Sequence, residues 1–499
     1  MIFSSPVFVF AFLPVVFLVA MLVRRFKSST LPLLLWMTMS SLFFYAFWEA
    51  SYLPIIVISI VANWLVGQWI GRNAGASRVP LFMGICGNLL ALGYYKYFDF
   101  FTANINSSLG TNLPELGLLL PLGISFFTFQ QIAYLVDTSR GLTGRTNIFE
   151  YAFFVSFFPQ LIAGPIVHHR HILPAIHKGE SFNFSSEQVL AGLHAFAIGF
   201  FKKVVIADSL VLASSAVFNA ADAGQSLTSH DAILGTLSFT FHIYFDFSAY
   251  TDMAIGLALM FGVQLPKNFD SPYKSTGFID FWQRWHITLS EFLRDYVYIP
   301  LGGNRKGVAL RYFNLLSTML IGGLWHGATW TFVFWGGVHG VLLMMNRWIR
   351  TIIRFPRSGP WARPSAVFCW AVTFPIIALT MIAARAATWS GMLEVFTAIF
   401  TWTSPETGSE AYDVTKEQLP YLFPVTIDGE PFMAWFWIVL AAVLSFVMPN
   451  TWALTKRFPE TRGMRRLGAN LLTVSTFVAA SFIILYMANR VTEFFYFDF

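Results

Sequence analysis

Charge is what this chain has little of. Of its 499 residues only 12% are Asp, Glu, Lys or Arg, while 56% are hydrophobic, against about 25% charged in ordinary soluble domains. So few charges cannot cover the surface of a soluble protein of this length. With a mean hydropathy of +0.60, lipid is the expected solvent for much of the chain. Cysteine is nearly missing too. Cys86 and Cys369 stand in apolar runs with no CxxC spacing and no polar neighbours, which argues against a disulfide and against a thiol nucleophile. The strings GxxxxGK(S/T), GxGxxG and GxSxG do not occur, which argues against an ATPase, a flavin or nicotinamide enzyme and a serine hydrolase. No repeat or low-complexity segment stands out.

What is present is apolar length. Runs able to span a bilayer recur near 6–23, 31–48, 52–70, 80–97, 117–136, 149–167, 188–206, 232–262, 313–346, 366–387, 432–449 and 469–488; a span needs ~20 apolar residues. The runs at 232–262 and 313–346 exceed one span and are expected to hold a broken helix or a helix pair. The expectation is an all-α polytopic membrane protein, one integral-membrane domain over 1–499, with about 11–13 transmembrane and re-entrant segments. The first run has no basic stretch before it, and Arg24, Arg25 and Lys27 follow it, so it reads as a span and not as a cleavable signal.

Orientation follows from the basic loops. Arg24, Arg25 and Lys27, Arg72 and Arg78, Arg140 and Arg145, Lys202 and Lys203, the 263–312 block, Arg347 through Arg363 and Lys456 through Arg466 are expected to face the cytoplasm. The 388–431 loop carries Glu394, Glu406, Glu410, Asp413, Glu417, Asp428 and Glu430 against Lys416 alone, and is expected outside. The formal charge of +6 follows from this loop asymmetry. Its cations are scattered over loops and not gathered into a patch, so no nucleic-acid partner is expected.

Against that background His326 is conspicuous. From Tyr312 to Asn346 there is no Asp, Glu, Lys or Arg. As helix, Arg311 to His326 is roughly 22 Å of rise, which puts the imidazole at membrane depth, where an ionisable group is a functional hypothesis by default. A histidine can take a proton from a hydroxyl near neutral pH. Gly322, Gly323 and Gly327 would let a backbone or a substrate approach, and Trp325 and Trp330 could wall a tunnel. The competing reading is a helix–helix hydrogen bond worth roughly 1 kcal/mol.

Upstream, SPYKSTGFIDFWQRWHITLSEFLRDYVYIPLGGNR (271–305) is polar, rich in Arg and Trp, and contains His286. Over Asp280–Tyr298 its apolar spacing is only approximately helical, and an amphipathic helix in the cytoplasmic interface is the plain expectation. Lys274, Arg284 and Arg294 have two readings of similar weight. They are either snorkelling interfacial cations or lining residues of a water-filled approach that binds an anionic, phosphate-bearing donor. His242, Asp246 and Asp252 lie inside a span-length run and should face a polar cavity or pair. Structural acceptors are the favoured reading for both aspartates, and an internally bonded ring for His242. His168, His169, His171 and His177 cluster beside Arg170. Their spacing does not converge on one helix face and no neighbouring Cys or carboxylate completes a set, so a solvated or interfacial basic segment is expected and no metal site. His339 reads as a packing or hydrogen-bonding residue.

Four strings, FPQLIAGPI (158–166), YFDFSAYTDMAIGLALMFG (244–262), the 271–305 block and GGLWHGATWTFVFWGGVHG (322–340), together resemble the membrane-bound O-acyltransferase (MBOAT) family, and most of all its bacterial branch of alginate O-acetyltransferase type. The resemblance spans nearly the whole chain. It departs from the family pattern at Gln283, where Arg is frequent, and at Ala249, where Gly is common. The resemblance implies a ring of helices around a central funnel or tunnel in the bacterial inner membrane. It also implies that His326 is the catalytic histidine and His286 the second residue tied to activity, with Arg284, Arg294 and Lys274 as donor-binding residues and Trp325 at the tunnel. The implied reaction is O-acetylation of an exported polysaccharide such as alginate, with acetyl-CoA as donor substrate, no resident cofactor, and an extracytoplasmic acetyltransferase as partner. Alternatives are D-alanyl transfer from a carrier protein to teichoic acid, and a transporter or flippase of acyl groups or glycans.

Overall fold

A computed structural model describes residues 1–26, 29–72, 78–144, 146–177, 181–182, 184–353, 355–356, 358–401 and 432–457. Most of the acidic 388–431 loop and the FFYFDF end lie outside the described residues. Among the described residues the chain is helix and connecting turn, with no strand, as an all-α membrane protein requires. Phe8–Phe26, Ala50–Arg72, Ser186–Asp222, Val308–His326 and Ala362–Arg385 are long and apolar enough to cross a membrane; Leu31–Ala46 and Met433–Phe446 are shorter apolar helices. Leu18, Leu22, Ile58, Leu65, Phe313 and Phe368 on these helices are exposed. That placement would be costly in water and is ordinary against lipid acyl chains.

The contacts group the chain into two compact units, one built from Met1–Phe200 and Tyr250–Lys267, the other from Phe201–Ala249 and Asn268–Leu454. In the first, Phe3, Phe8, Phe12, Phe44 and Phe158 form a buried aromatic core, with the Phe12 and Phe158 rings edge-to-face at 5.4 Å. Asn63 and Asn88 exchange amide hydrogen bonds of 3.2 and 2.6 Å between two neighbouring helices, the polar adhesion that apolar helices need in lipid, where no hydrophobic force draws them together. The Ile148–Ser156 helix opens on a capping box: Asn147 Oδ1 accepts from the Glu150 amide at 2.9 Å, and Glu150 Oε2 accepts from the Asn147 amide at 3.1 Å.

The histidine cluster in this unit is solvated only in part: Arg170 and His177 are exposed and His171 is half-buried. His168 and His169 are buried, and their Nδ1 atoms lie 3.9 and 3.8 Å from Asp137 Oδ2. Asp137 comes from the Ile124–Ser139 helix, too distant in sequence for the spacing to announce it. Among the described residues no grouping of His, Cys, Asp and Glu has the geometry to hold a metal ion.

In the second unit the two over-long runs resolve differently. Ser229–Met260 is one unbroken helix of 32 residues, about 48 Å long; it contains no proline and continues into the first unit's residues. The 313–346 run is a helix pair, Val308–His326 and Trp330–Ile352, reversed at Gly327–Thr329, where Gly327 and Thr329 are extended. The pair packs backbone to backbone. A Cβ on Gly323 would collide with the Phe332 carbonyl, and one on Gly336 with the Met319 carbonyl. This is the small-residue contact by which membrane helices approach closely.

Lys203, expected at the cytoplasmic surface, is fully buried there. Its Nζ lies 2.8 Å from Asp208 Oδ1 and 2.8 Å from Asp246 Oδ1. Asp246 is therefore part of a buried ion cluster, as a carboxylate inside a membrane-length helix must be. Asp252, six residues further along the same helix, belongs to the first unit.

Candidate active site

The 271–305 block does not form the amphipathic surface helix its composition suggests. It breaks into Phe278–Trp282, a turn, Ile287–Leu293 and a π-helical Arg294–Tyr298, because the turn is held from outside by residues 268–270. Ile287 donates its amide to the Asn268 carbonyl at 2.9 Å, and Asp270 donates its amide to the Arg284 carbonyl at 2.9 Å. These rungs carry the chain through His286 in the left-handed region, φ 43° and ψ 55°, a conformation costing a non-glycine residue on the order of 1–2 kcal/mol. Such strain persists only where the surroundings over-determine it.

The turn brings His286 to the end of the Val308–His326 helix. The His286 and His326 rings are 6.2 Å apart between centroids, and both side chains are buried. His286 thus lies beside the end of the Val308–His326 helix opposite to the one that carries Arg311. Trp325 borders both imidazoles, 5.0 Å from His326 and 6.1 Å from His286. Trp335 stands edge-on to His326 at 5.2 Å, Phe332 lies nearly parallel to it at 6.3 Å, and Phe247 meets His286 edge-on at 4.8 Å. Two imidazoles thus share an enclosure of aromatic rings. Burial among these rings keeps both imidazoles away from bulk water.

His339, on the next helix, is committed elsewhere. Trp282 Nε1 donates to its Nδ1 at 3.2 Å, so its Nε2 carries the proton and donates to Thr380 Oγ1 at 3.1 Å; that hydroxyl in turn donates to the Ile377 carbonyl at 2.7 Å. Both ring nitrogens are used, which suits a bonding role and not a base.

The expected donor-binding cations are each engaged by groups of the protein itself. Arg284 Nε bonds Asp280 at 2.7 Å and its Nη1 the Asp270 carbonyl at 3.2 Å. Lys274 Nζ donates to the Met448 carbonyl at 2.7 Å; partial burial and the nearby Arg284 guanidinium lower its pKa. Arg294 is forked onto its neighbour Asp295 at 2.7 and 3.1 Å and is exposed. The sequence did not single out Asn268, Phe247 or Trp335, and it placed Lys203 at the surface. Those three site residues carry no charge and join the histidines only through the fold. Lys203 had a signal, a lysine at the centre of the apolar string GFFKKVVIA, which is cheaper to pair than to expose.

Comparison with known proteins fits this geometry. The family model of the membrane-bound O-acyltransferase family matches residues 122–384. The chain is 42% identical over 422 residues to the peptidoglycan O-acetyltransferase of Helicobacter pylori, covering 79% of each chain. It is 39% identical over 422 residues to a probable alginate O-acetylase, AlgI, of Pseudomonas aeruginosa, covering 81% of this chain and 76% of that one. Against the teichoic acid D-alanyltransferase of Bacillus subtilis the identity is 29% over 279 residues, 53% of this chain and 68% of that one. With the family model matched over more than half its length and such relatives aligned over most of it, this chain belongs to the membrane-bound O-acyltransferase family and is a membrane O-acyltransferase.

Proposed function

We propose that this protein is an inner-membrane acetyltransferase that takes an acetyl group from cytoplasmic acetyl-CoA and delivers it towards an exported polysaccharide, with His326 as the base and His286 as its partner. The observation that carries this reading is the pairing of the two buried imidazoles at 6.2 Å inside one aromatic enclosure. A nitrogen of His326 takes the proton of the accepting hydroxyl as its oxygen bonds to the acetyl carbon. The carbon–sulfur bond of the thioester breaks, and the leaving thiolate recovers that proton from the imidazolium. Arg284 and Lys274, close enough to influence one another, are the residues proposed to meet the donor's phosphates. Arg294 joins them only if it leaves Asp295. Support for acetyl as the group moved comes from the relatives named as O-acetylases of alginate and peptidoglycan. Reaching the polymer through an extracytoplasmic acetyltransferase partner is part of the same proposal.

The test uses the full chain in lipid nanodiscs with radiolabelled acetyl-CoA. Release of CoA and transfer of label to a polysaccharide acceptor are expected, with His326→Ala reducing transfer by ~10²–10⁴-fold, the scale of general-base loss. A folded His326→Ala protein that transfers at the parental rate would sink the assignment. A parental protein that ignores acetyl-CoA and takes D-alanine from a charged carrier protein would move it to the teichoic acid reaction. In sealed proteoliposomes, passage of label across the membrane with no transfer would make it a transporter.

A further inference from the structure

His286 leaves one of its nitrogens no choice. Its Nδ1 lies 3.2 Å from Asn268 Oδ1, and the same oxygen is 2.9 Å from Thr288 Oγ1 and 3.3 Å from the Thr288 amide. A backbone amide can only donate, so the atom facing it must be the amide oxygen of Asn268 and not its NH₂ group. An oxygen can only accept, so the proton of the His286 contact must sit on Nδ1. The other neutral tautomer would set two lone pairs against each other at 3.2 Å. Asn268 and His286 are both fully buried, where that repulsion has no water to relieve it.

We infer that Asn268 is a positioning residue for the transfer reaction: it locks neutral His286 as the Nδ1–H tautomer, so that the ring's proton-accepting lone pair lies on the buried Nε2, the nitrogen not held by Asn268. This rests on the reading of His286 as a working residue and narrows what that residue can do. A neutral ring whose inner nitrogen bears a lone pair cannot polarise a thioester carbonyl by donating to it. It can accept a hydrogen bond from an N–H or O–H group next to His326. Asn268 also holds the strained backbone that aims the ring, through its carbonyl bond to the Ile287 amide at 2.9 Å, so side chain and main chain of one residue set both orientation and protonation. This is the histidine–orienter arrangement that catalytic and metal-binding imidazoles rely on.

The experiment combines spectroscopy and kinetics on the full chain in nanodiscs. With ¹⁵N-labelled histidine, the His286 signals are identified by their loss in His286→Gln, and a protonated Nδ1 with an unprotonated Nε2 is expected near neutral pH. A protonated Nε2 overturns the inference whatever the activity. Asn268→Leu, which removes the acceptor, is expected to lower kcat by about tenfold to hundredfold, the scale seen when a histidine loses its orienting partner, with KM for acetyl-CoA changed less than twofold. Asn268→Asp keeps an acceptor, so it recovers part of that loss even if the leucine variant does not fold. Its carboxylate favours the imidazolium, which moves the acid limb of the pH–kcat profile to higher pH. Parental kcat in folded Asn268→Leu, or an acid limb unmoved in Asn268→Asp, overturns the positioning role. His286→Ala at parental kcat removes instead the reading on which the inference rests, leaving the tautomer measurement untouched.

Discussion

His286 and His326 come from separate elements yet stand 6.2 Å apart, with the Trp325 ring bordering both. Two imidazoles serving one step behave as a unit, and residues acting as a unit give grossly non-additive losses. The His286→Ala/His326→Ala double variant is expected to transfer acetyl no more slowly than the weaker single variant. Single-turnover rates on the three proteins measure this; losses that multiply would show the rings act independently.

Helix reversal at the site depends on Gly323 meeting Gly336. A methyl group on Gly323 has the Phe332 carbonyl in its way and the Gly336 Cα at 3.0 Å, and backbone cannot swing aside as a side-chain end can. Gly323→Ala is expected to cost ~1–3 kcal/mol and to lower kcat by displacing His326, three residues on. Thermal melting in detergent and the transfer rate check both; unchanged melting with unchanged rate would contradict the packing.

Lys203 and Asp246 form a fully buried ion pair, with Asp208 as second acceptor. Removing one member leaves an uncompensated charge, at ~3–5 kcal/mol for a buried pair. Lys203→Met and Asp246→Asn should each lower the melting temperature strongly. The double variant should fall short of the sum of the two, and simple additivity would mean that the charges do not sense one another.

His339 separates bonding from catalysis. Its nitrogens are taken by Trp282 and Thr380, so His339→Gln is expected to lower stability by about 1 kcal/mol per lost hydrogen bond, leave the pH–kcat profile in place and cost less than ~10-fold in rate, below the general-base scale. A loss as deep as that of His326→Ala would assign it a part in the reaction.

The histidines of His169–His177, a short helix between spans, make stability sensitive to acid. Burial, joined by the neighbouring His168 and Arg170, pushes His171 down from 6.5 to about 4, and burial also lowers His169. A base whose pKa is lowered by folding binds protons more readily when unfolded, so stability rises with pH across that interval. The contribution is present above pH 6.5 and is lost as pH falls from 6.5 towards 4. Melting curves of the parent and of His169→Gln/His171→Gln between pH 7.5 and 4.5 should converge in slope above 6.5 and diverge below it, the parent falling faster.

Much of this was legible in the linear chain. Scarce charge and span-length apolar runs demand a helical membrane protein, since lipid satisfies no backbone polar group. An imidazole without a charged neighbour on its own run marks itself as exceptional. The strings around His286 and His326 pointed to the family before any coordinate did. Helix breaks were less legible: the 232–262 and 313–346 runs are both apolar and longer than one span, and the reversal of the second at Gly327–Thr329 shows only in the extended backbone there.

The chain's composition by itself determined the apolar solvent and the all-helical class, because both are written in local residue type, and its motifs singled out the two histidines. Tertiary structure alone decided what surrounds them. The His286 turn is held by Asn268 and Asp270, the aromatic walls come from Phe247, Phe332 and Trp335, and Lys203 is buried by partners at 208 and 246. Hydrogen bonds and ring contacts depend on distance in space, and no periodicity in the sequence records which distant residues the fold will bring within 3 Å.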